Sequence, residues 1–214
     1  MHVDVFQDTV CPWCRIGKKH LADALAQWEG EPVEVRFHPF MLQPQMPAEG
    51  KDFRQHMAAI KGDANIEPMF GRVCAAGEAC EVNFDFGKVQ RAPNTLLSHC
   101  LIAVAPPERQ SDIVDAIFRA YFEEGRHVGD LDVLLDIAEE QNLGVERAEL
   151  AEALADEQLQ RQIAAEANWI SRQGITGVPF FVIDETYGLS GAQPAETLLA
   201  AIRHAATEPA PAGA

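Results

Sequence analysis

Strand patterning occurs only at the two ends of this chain, and a long helical pattern, from about Met46 to Gln173, separates them. The segment "HVDVFQD" from His2 alternates apolar and polar residues like a half-buried strand. From Pro12 the period becomes helical: Trp13, Ile16, Leu21, Ala24, Leu25 and Trp28 share a face, Lys18 and Lys19 lie elsewhere, and Gly30 supplies a stop. "PVEVRFHPF" from Pro32 reads as a second strand, and a parallel strand–helix–strand unit implies a right-handed crossover. Strand character returns at "VPFFVID" from Val178, with "YGLSG" from Tyr187 as its hairpin partner. "QPAETLLAAIRHA" then forms an amphipathic helix that starts near Pro194, and "TEPAPAGA" from Thr207 reads as a disordered tail. The expected architecture is one α/β domain split in sequence, residues 1–45 and 157–206, around a helical insertion at 46–156, with a tail at 207–214.

Between Met46 and Gln173 the helical segments are "DFRQHMAAI", "NTLLSHCLIAV", "SDIVDAIFRAYFEEG", "DLDVLLDIAEEQN" and "EQLQRQIAAEANWISRQ". Asp130 is placed as an N-cap and Gly144 as a stop. Acidic residues outnumber basic ones 33 to 17, a formal net charge of −16, which argues against nucleic acid or an anionic lipid surface as partner. No run approaches the roughly 18 apolar residues of a membrane span, and the N-terminus lacks a leader pattern, so a soluble cytoplasmic protein is expected. Five cysteines in such a setting point to catalytic, transient or inert thiols rather than structural disulfides.

Two of those cysteines form the motif "CPWC". Cys11 falls where the first strand gives way to the first helix, and there free backbone N–H groups and the helix dipole favour a thiolate. Cys14 lies about one helical turn on, within reach of Cys11, and Pro12 stiffens the first turn. This arrangement suits exchange: Cys11 attacks a disulfide, and the more buried Cys14 resolves the mixed disulfide. A zinc site would need two further ligands. The available pair, Cys74 and Cys80, is spaced more widely than the usual two to four residues, so no metal is expected. A purely structural disulfide between such near neighbours would restrict the unfolded chain little.

"CPWC" after a strand, "GVPFF" from Gly177 and the helical insertion between them resemble the DsbA-like branch of the thioredoxin superfamily. "FHPFMLQPQMPAEG", "NTLLSHCLI", "AYFEEG" and "SGAQPAE" narrow the resemblance to the FrnE-like dithiol–disulfide oxidoreductases, over about Val3 to Ala206. The resemblance implies a thioredoxin-like fold: a four-stranded mixed central sheet ordered 2-1-3-4, with an all-helical subdomain over its active-site end. It also implies that Pro179 follows a cis peptide bond and faces the cysteines, that backbone groups of Val178 bind an extended substrate, and that Thr176 and Gly177 shape the turn. On its own, a proline opening an edge strand in trans would be the commoner case.

Other residues carry two readings each. Asp8 is either a buried carboxylate that shuttles a proton for Cys14 or a loop and capping residue. Trp13 either meets substrate beside the sulfur or packs on its helix's apolar face. Asn94 matches a position near the site in glutathione-using relatives, yet also suits an N-cap. His38 and His99 read as structural or surface residues, and Cys100 as an inert buried thiol. Cys74 and Cys80, six apart, are misaligned on a straight helix. A bend at Gly77 would let them meet as an accessory redox pair; otherwise they are independent thiols.

The expected activity is thiol–disulfide oxidoreduction or isomerisation through Cys11 and Cys14, without metal or nucleotide, on protein or small-molecule disulfides, with glutathione as a candidate redox partner or cosubstrate. Two other classes compete. One is a glutathione-dependent transferase or isomerase of small aromatic or polyketide-like molecules, as in kappa-class transferases and 2-hydroxychromene-2-carboxylate isomerases, which carry serine at the motif; glutathione would then use the Val178 edge and the turn from Ser190. The other is a thioredoxin-like holdase. The sequence sets neither the redox direction nor the oligomeric state.

Overall fold

The computed structural model describes residues 1–207, so residues 208–214 of the expected tail lie outside it. Thr207 itself closes the last helix.

Strand β1 (His2–Gln7) buries every second residue and pairs in parallel with β2 (Glu34–Pro39), Val3 opposite Val35 and Val5 opposite Phe37. Between them, α1 (Pro12–Ala26) begins with Pro12 where a missing N–H costs nothing. It ends at Ala26, not at Gly30: Gln27 caps it, its N–H donating to Ala24 O while Trp28 N–H donates to Leu25 O. Gly30 serves the loop instead, because a Cβ there would lie 2.1 Å from the Trp28 ring.

The insertion opens with the two-residue strand β3 (Lys51–Asp52) and continues through α2 (Phe53–Lys61) and α3 (Asp63–Glu78). A second short strand, β4 (Arg91–Ala92), pairs antiparallel with β3, a small sheet that the helical pattern hides. Then follow α4 (Leu96–Val104), α5 (Pro107–Phe122), α6 (Leu131–Glu140), α7 (Arg147–Ala155) and α8 (Glu157–Arg172). Asp130 caps α6, its carboxylate accepting from Val133 N. That helix stops at Glu140 with Gln141 as cap, and Gly144, at φ +78°, turns the following loop rather than the helix end.

The chain then returns to the sheet as β5 (Phe180–Ile183) and β6 (Tyr187–Ser190) and closes with α9 (Ala195–Thr207). The sheet order is β2-β1-β5-β6, parallel only between β1 and β2. This is a thioredoxin fold with a helical insertion.

Two cores result. Val3, Val5, Phe181 and Ile183 on one sheet face pack against Leu21 of α1 and Leu198 and Ile202 of α9. The larger core joins the insertion helices to the front of α1 and includes both Cys11 and Cys14. Charged contacts fasten α1 to the insertion. Lys18, 6% exposed, pairs with Asp115 at 2.6 Å, and Arg15 donates to Asn83 O at 2.7 Å and pairs with Glu123. The cysteine-bearing helix is thus held between sheet and insertion.

Candidate active site

Cys11 is the residue that caps α1, with extended backbone (φ −90°, ψ 112°) and no side-chain cap bond. Its N–H donates to Asp8 O at 3.0 Å, and its carbonyl accepts from Cys14 N at 3.0 Å and Arg15 N at 3.3 Å. The chain therefore turns tightly from β1 into α1, and the two thiols fall one turn apart, both reduced. Burial, and then the contact with Cys11, push the Cys14 thiol well above its ordinary value. Cys14 is held as the neutral partner.

Across from them the Val178–Pro179 bond is cis, and Val178 O lies 3.6 Å from Cys11 Sγ. Gly17 makes this approach feasible. A Cβ there would sit 2.8 Å from Pro179 Cγ and 3.2 Å from Phe181 Cζ, so only hydrogen fits between α1 and the proline loop.

Cys11, Asp8, Gly177 and Val178 form one end of a cavity of about 370 Å³ that reaches into the insertion. Its walls are apolar: Phe53, Phe70, Phe86 and Phe122 with Met46, Met57 and Met69. Phe70 and Phe86 stack at 4.2 Å between centroids, which makes that wall rigid, while the methionines are adaptable. Trp13, Leu42 and Ile60 stand at the cavity and are each more than 40% exposed. Of the large apolar side chains exposed among the described residues, only Trp169 lies elsewhere. His56 and Lys61 supply polar groups to the lining.

Asp8, Trp13, Gly177 and Val178 are thus brought to Cys11, whereas Thr176 is exposed and does not line the cavity. Asn94 is occupied within the fold. Its Oδ1 accepts from Leu96 N at 2.9 Å, its Nδ2 donates to Met46 O at 2.6 Å, and Thr95 is the residue at the helix start. Cys74 and Cys80 also stay away from the cavity. The α3 helix runs straight through Gly77 and ends one residue later. Cys74 Sγ faces Phe84 O at 4.0 Å, Cys80 Sγ donates to Gly77 O at 3.3 Å, and burial raises both thiols. Cys100 is fully buried, its thiol pushed up to about 12 by burial. His38 stacks on Phe6 at 4.9 Å and bridges Asp4 (2.9 Å) to Glu166 (3.2 Å), an internal clasp rather than a surface residue.

Asp8 is 1% exposed, and its Oδ2 accepts from Leu42 N at 2.8 Å. Its Oδ1 faces His99 Nε2 at 3.5 Å, a contact that sequence reasoning missed because His99 sits on an apolar helix far along the chain. The only local signal was its place between Ser98 and Cys100 in an otherwise apolar run. Among the described residues, no group of three or more His, Cys, Asp or Glu is placed to hold a metal ion, and no helix is long and apolar enough to cross a membrane.

A family model for the DSBA-like thioredoxin domain matches residues 2–203, and the chain belongs to that family. It is 29% identical over 190 residues to the uncharacterized protein YwbO of Bacillus subtilis (strain 168), covering 87% of this chain and 88% of that one. Its structure is similar to that of the probable DsbA oxidoreductase SCO1869 from Streptomyces coelicolor, with a TM-score of 0.87 and 29% identity over 100% of this chain and 93% of that one. The cytosolic disulfide reductase DsbM from Pseudomonas aeruginosa, in its structure with GSH, shares the fold at a TM-score of 0.69 and 20% identity, over 97% and 100% of the two chains.

Proposed function

We propose that this protein is a thiol–disulfide oxidoreductase or isomerase in which Cys11 attacks and Cys14 resolves. The observation that carries this reading is the asymmetry of the pair. Cys11 lies at the cavity against Val178 O, and Cys14 lies behind it, buried and protonated. The Cys11 thiolate attacks one sulfur of a substrate disulfide; a bond forms to that sulfur and the other leaves as thiolate. Cys14 then loses its proton and attacks Cys11 Sγ, closing the Cys11–Cys14 disulfide and releasing the second thiolate. The substrate has gained two electrons and the pair has lost them. The reverse sequence oxidises a dithiol.

Pro179 and Val178 form the edge on which the substrate chain lies, and Asp8 receives the Cys14 proton. The phenylalanine and methionine walls favour a substrate with an apolar group beside its disulfide. Glutathione is a fitting redox partner, no metal or nucleotide is required, and the cytoplasm is the compartment in which such a reduced pair works.

The deciding experiment is trapping. A Cys14→Ser protein treated with glutathione disulfide is expected to accumulate a stable adduct at Cys11, visible by intact mass and peptide mapping, while Cys11→Ser forms none at Cys14. Equal modification of Cys14 in the Cys11→Ser protein would overturn the assignment. The glutathione-dependent isomerase reading would gain only if Cys14→Ser retained full turnover of small aromatic substrates.

A further inference from the structure

We propose that His99 is a positioning residue in a buried proton relay. It takes the Cys14 proton from Asp8 and passes it through a small polar cavity to the His38–Glu166 surface. The inference rests on the paired-thiol reading above.

Buried polar side chains are concentrated in one place. Among the described residues, those classed as buried are Gln7, Asp8, Thr9, Thr95, Ser98 and His99, with Lys18 the sole member elsewhere. They come from the end of β1 and the start of α4, which meet directly behind Cys11. Some of them are satisfied: Thr9 and Ser98 share a hydroxyl bond of 2.7 Å, and Ser98 donates to Thr95 O at 2.8 Å. Others are not. Asp8 Oδ1, His99 Nε2 and both amide atoms of Gln7 are buried without a hydrogen-bond partner. Such atoms are seldom left unpartnered in a purely structural cluster.

These atoms lie along a route. Asp8 bounds the large cavity beside Cys11, and its other face meets His99 at 3.5 Å. His99 and Gln7 in turn line a second cavity of about 50 Å³ together with His38 and Glu166. At ~10–15 Å³ for each water, that space holds roughly three to five, enough to link the groups. Glu166 is 41% exposed and His38 29%, so the route ends in solvent.

The proton thus leaves Cys14 to Asp8, then moves to His99, to water and to the surface pair, and the sulfur lone pair is freed for attack on Cys11. A rear exit matters because a bound substrate would close the front cavity. The titratable groups facing His99 and Asp8 are Cys11 and Cys14 on α1, Tyr121 on α5, and His38 and Glu166 across the small cavity. Tyr121 is spoken for, its hydroxyl donating to Arg91 O at 3.2 Å while burial raises it beyond use.

The test uses the full chain carrying Cys74→Ser and Cys80→Ser, with 5,5′-dithiobis(2-nitrobenzoate) as the disulfide in stopped flow. Attack by Cys11 releases one nitrothiobenzoate, and attack by Cys14 releases the second. For His99→Gln we expect the first release within about twofold of the parent and the second slowed roughly tenfold or more at neutral pH, rising with hydroxide instead of levelling. Asp8→Asn should match it, and the double variant should be no slower than Asp8→Asn, as for members of one path. A second release within twofold of the parent with the parent's pH profile overturns the relay, as does equal slowing of both releases. Should His99→Gln fail to fold, Gln7→Leu decides: a slower second release supports the route, and an unchanged one rejects it. If the parent itself releases no second nitrothiobenzoate, the paired-thiol reading falls, a result distinct from a normal parent with an indifferent His99 variant.

Discussion

Cys11 bounds the large apolar cavity and Cys14, three residues on, does not, although both are almost fully buried. Iodoacetamide at neutral pH should therefore label Cys11 in the reduced protein and leave Cys14 unmodified by peptide mass; labelling of Cys14 first would contradict the geometry. The raised Cys14 thiol also carries a sign. In the unfolded chain a thiol loses its proton near ~8.5, while folded Cys14 keeps it. The native state then holds more protons, so the stability of the reduced protein falls as pH rises above about 8.5. Cys100, raised to about 12, acts in the same direction, so Cys14→Ser should reduce this alkaline slope in denaturant titrations without abolishing it. At this scale the sequence spoke clearly wherever chemistry is local. Cys11, Trp13 and Val178 of the proline loop lie together at the cavity, with Cys14 against Cys11. The sequence offered Asp8 as a buried carboxylate but not its meeting with His99, which depends on α4 docking behind β1, and it offered Asn94 to the site when both ends of that amide hold the Met46 loop and helix start.

The α1 helix and the proline loop are in contact across Gly17, where a methyl group would overlap Pro179. Gly17→Ala should destabilise the fold by about 1–3 kcal/mol through overpacking. It should also slow Cys11 reactivity by moving Val178 O, read as urea midpoint and first-release rate together; an unchanged rate with an unchanged midpoint would show the loop to be free to yield. The α8 helix is clasped to the sheet by His38. Burial pulls His38 down, but hydrogen bonds to Glu166 and Asp4 outweigh it, and the net value is raised above 6.5. The clasp is therefore fully present below about 6.5 and is lost as pH climbs through the higher folded value, a window below that of Cys14. Thermal midpoints should fall over that neutral window, and His38→Gln should flatten the fall. The longer strands and most helices were readable in the sequence, although α3 and α7 were not singled out as segments. The β3–β4 pair was not, because two residues carry no period, and the end of α1 was misplaced because Gln27 caps it where a glycine was expected.

Across the whole molecule, the order β2-β1-β5-β6 joins strands from opposite ends of the chain, and the sequence signalled this by confining strand pattern to those ends. What it did not signal is the cavity. Seven phenylalanine and methionine residues of its wall come from the stretch between Met46 and Phe122, and each looks like ordinary core until α2 and α3 fold over Cys11. A thioredoxin fold with Cys11 at a helix start is thus joined to a helical cover that makes an apolar chamber. The proposed function requires that Cys11 and Cys14 cycle reversibly between dithiol and disulfide. The direct test is equilibration of the protein across glutathione redox buffers, followed by acid quenching, alkylation and mass spectrometry of every cysteine. The expected result is a single two-electron transition confined to Cys11–Cys14, with Cys100 reduced throughout. A pair that stays reduced across the range, or takes up glutathione at Cys11 without ever closing, would contradict it.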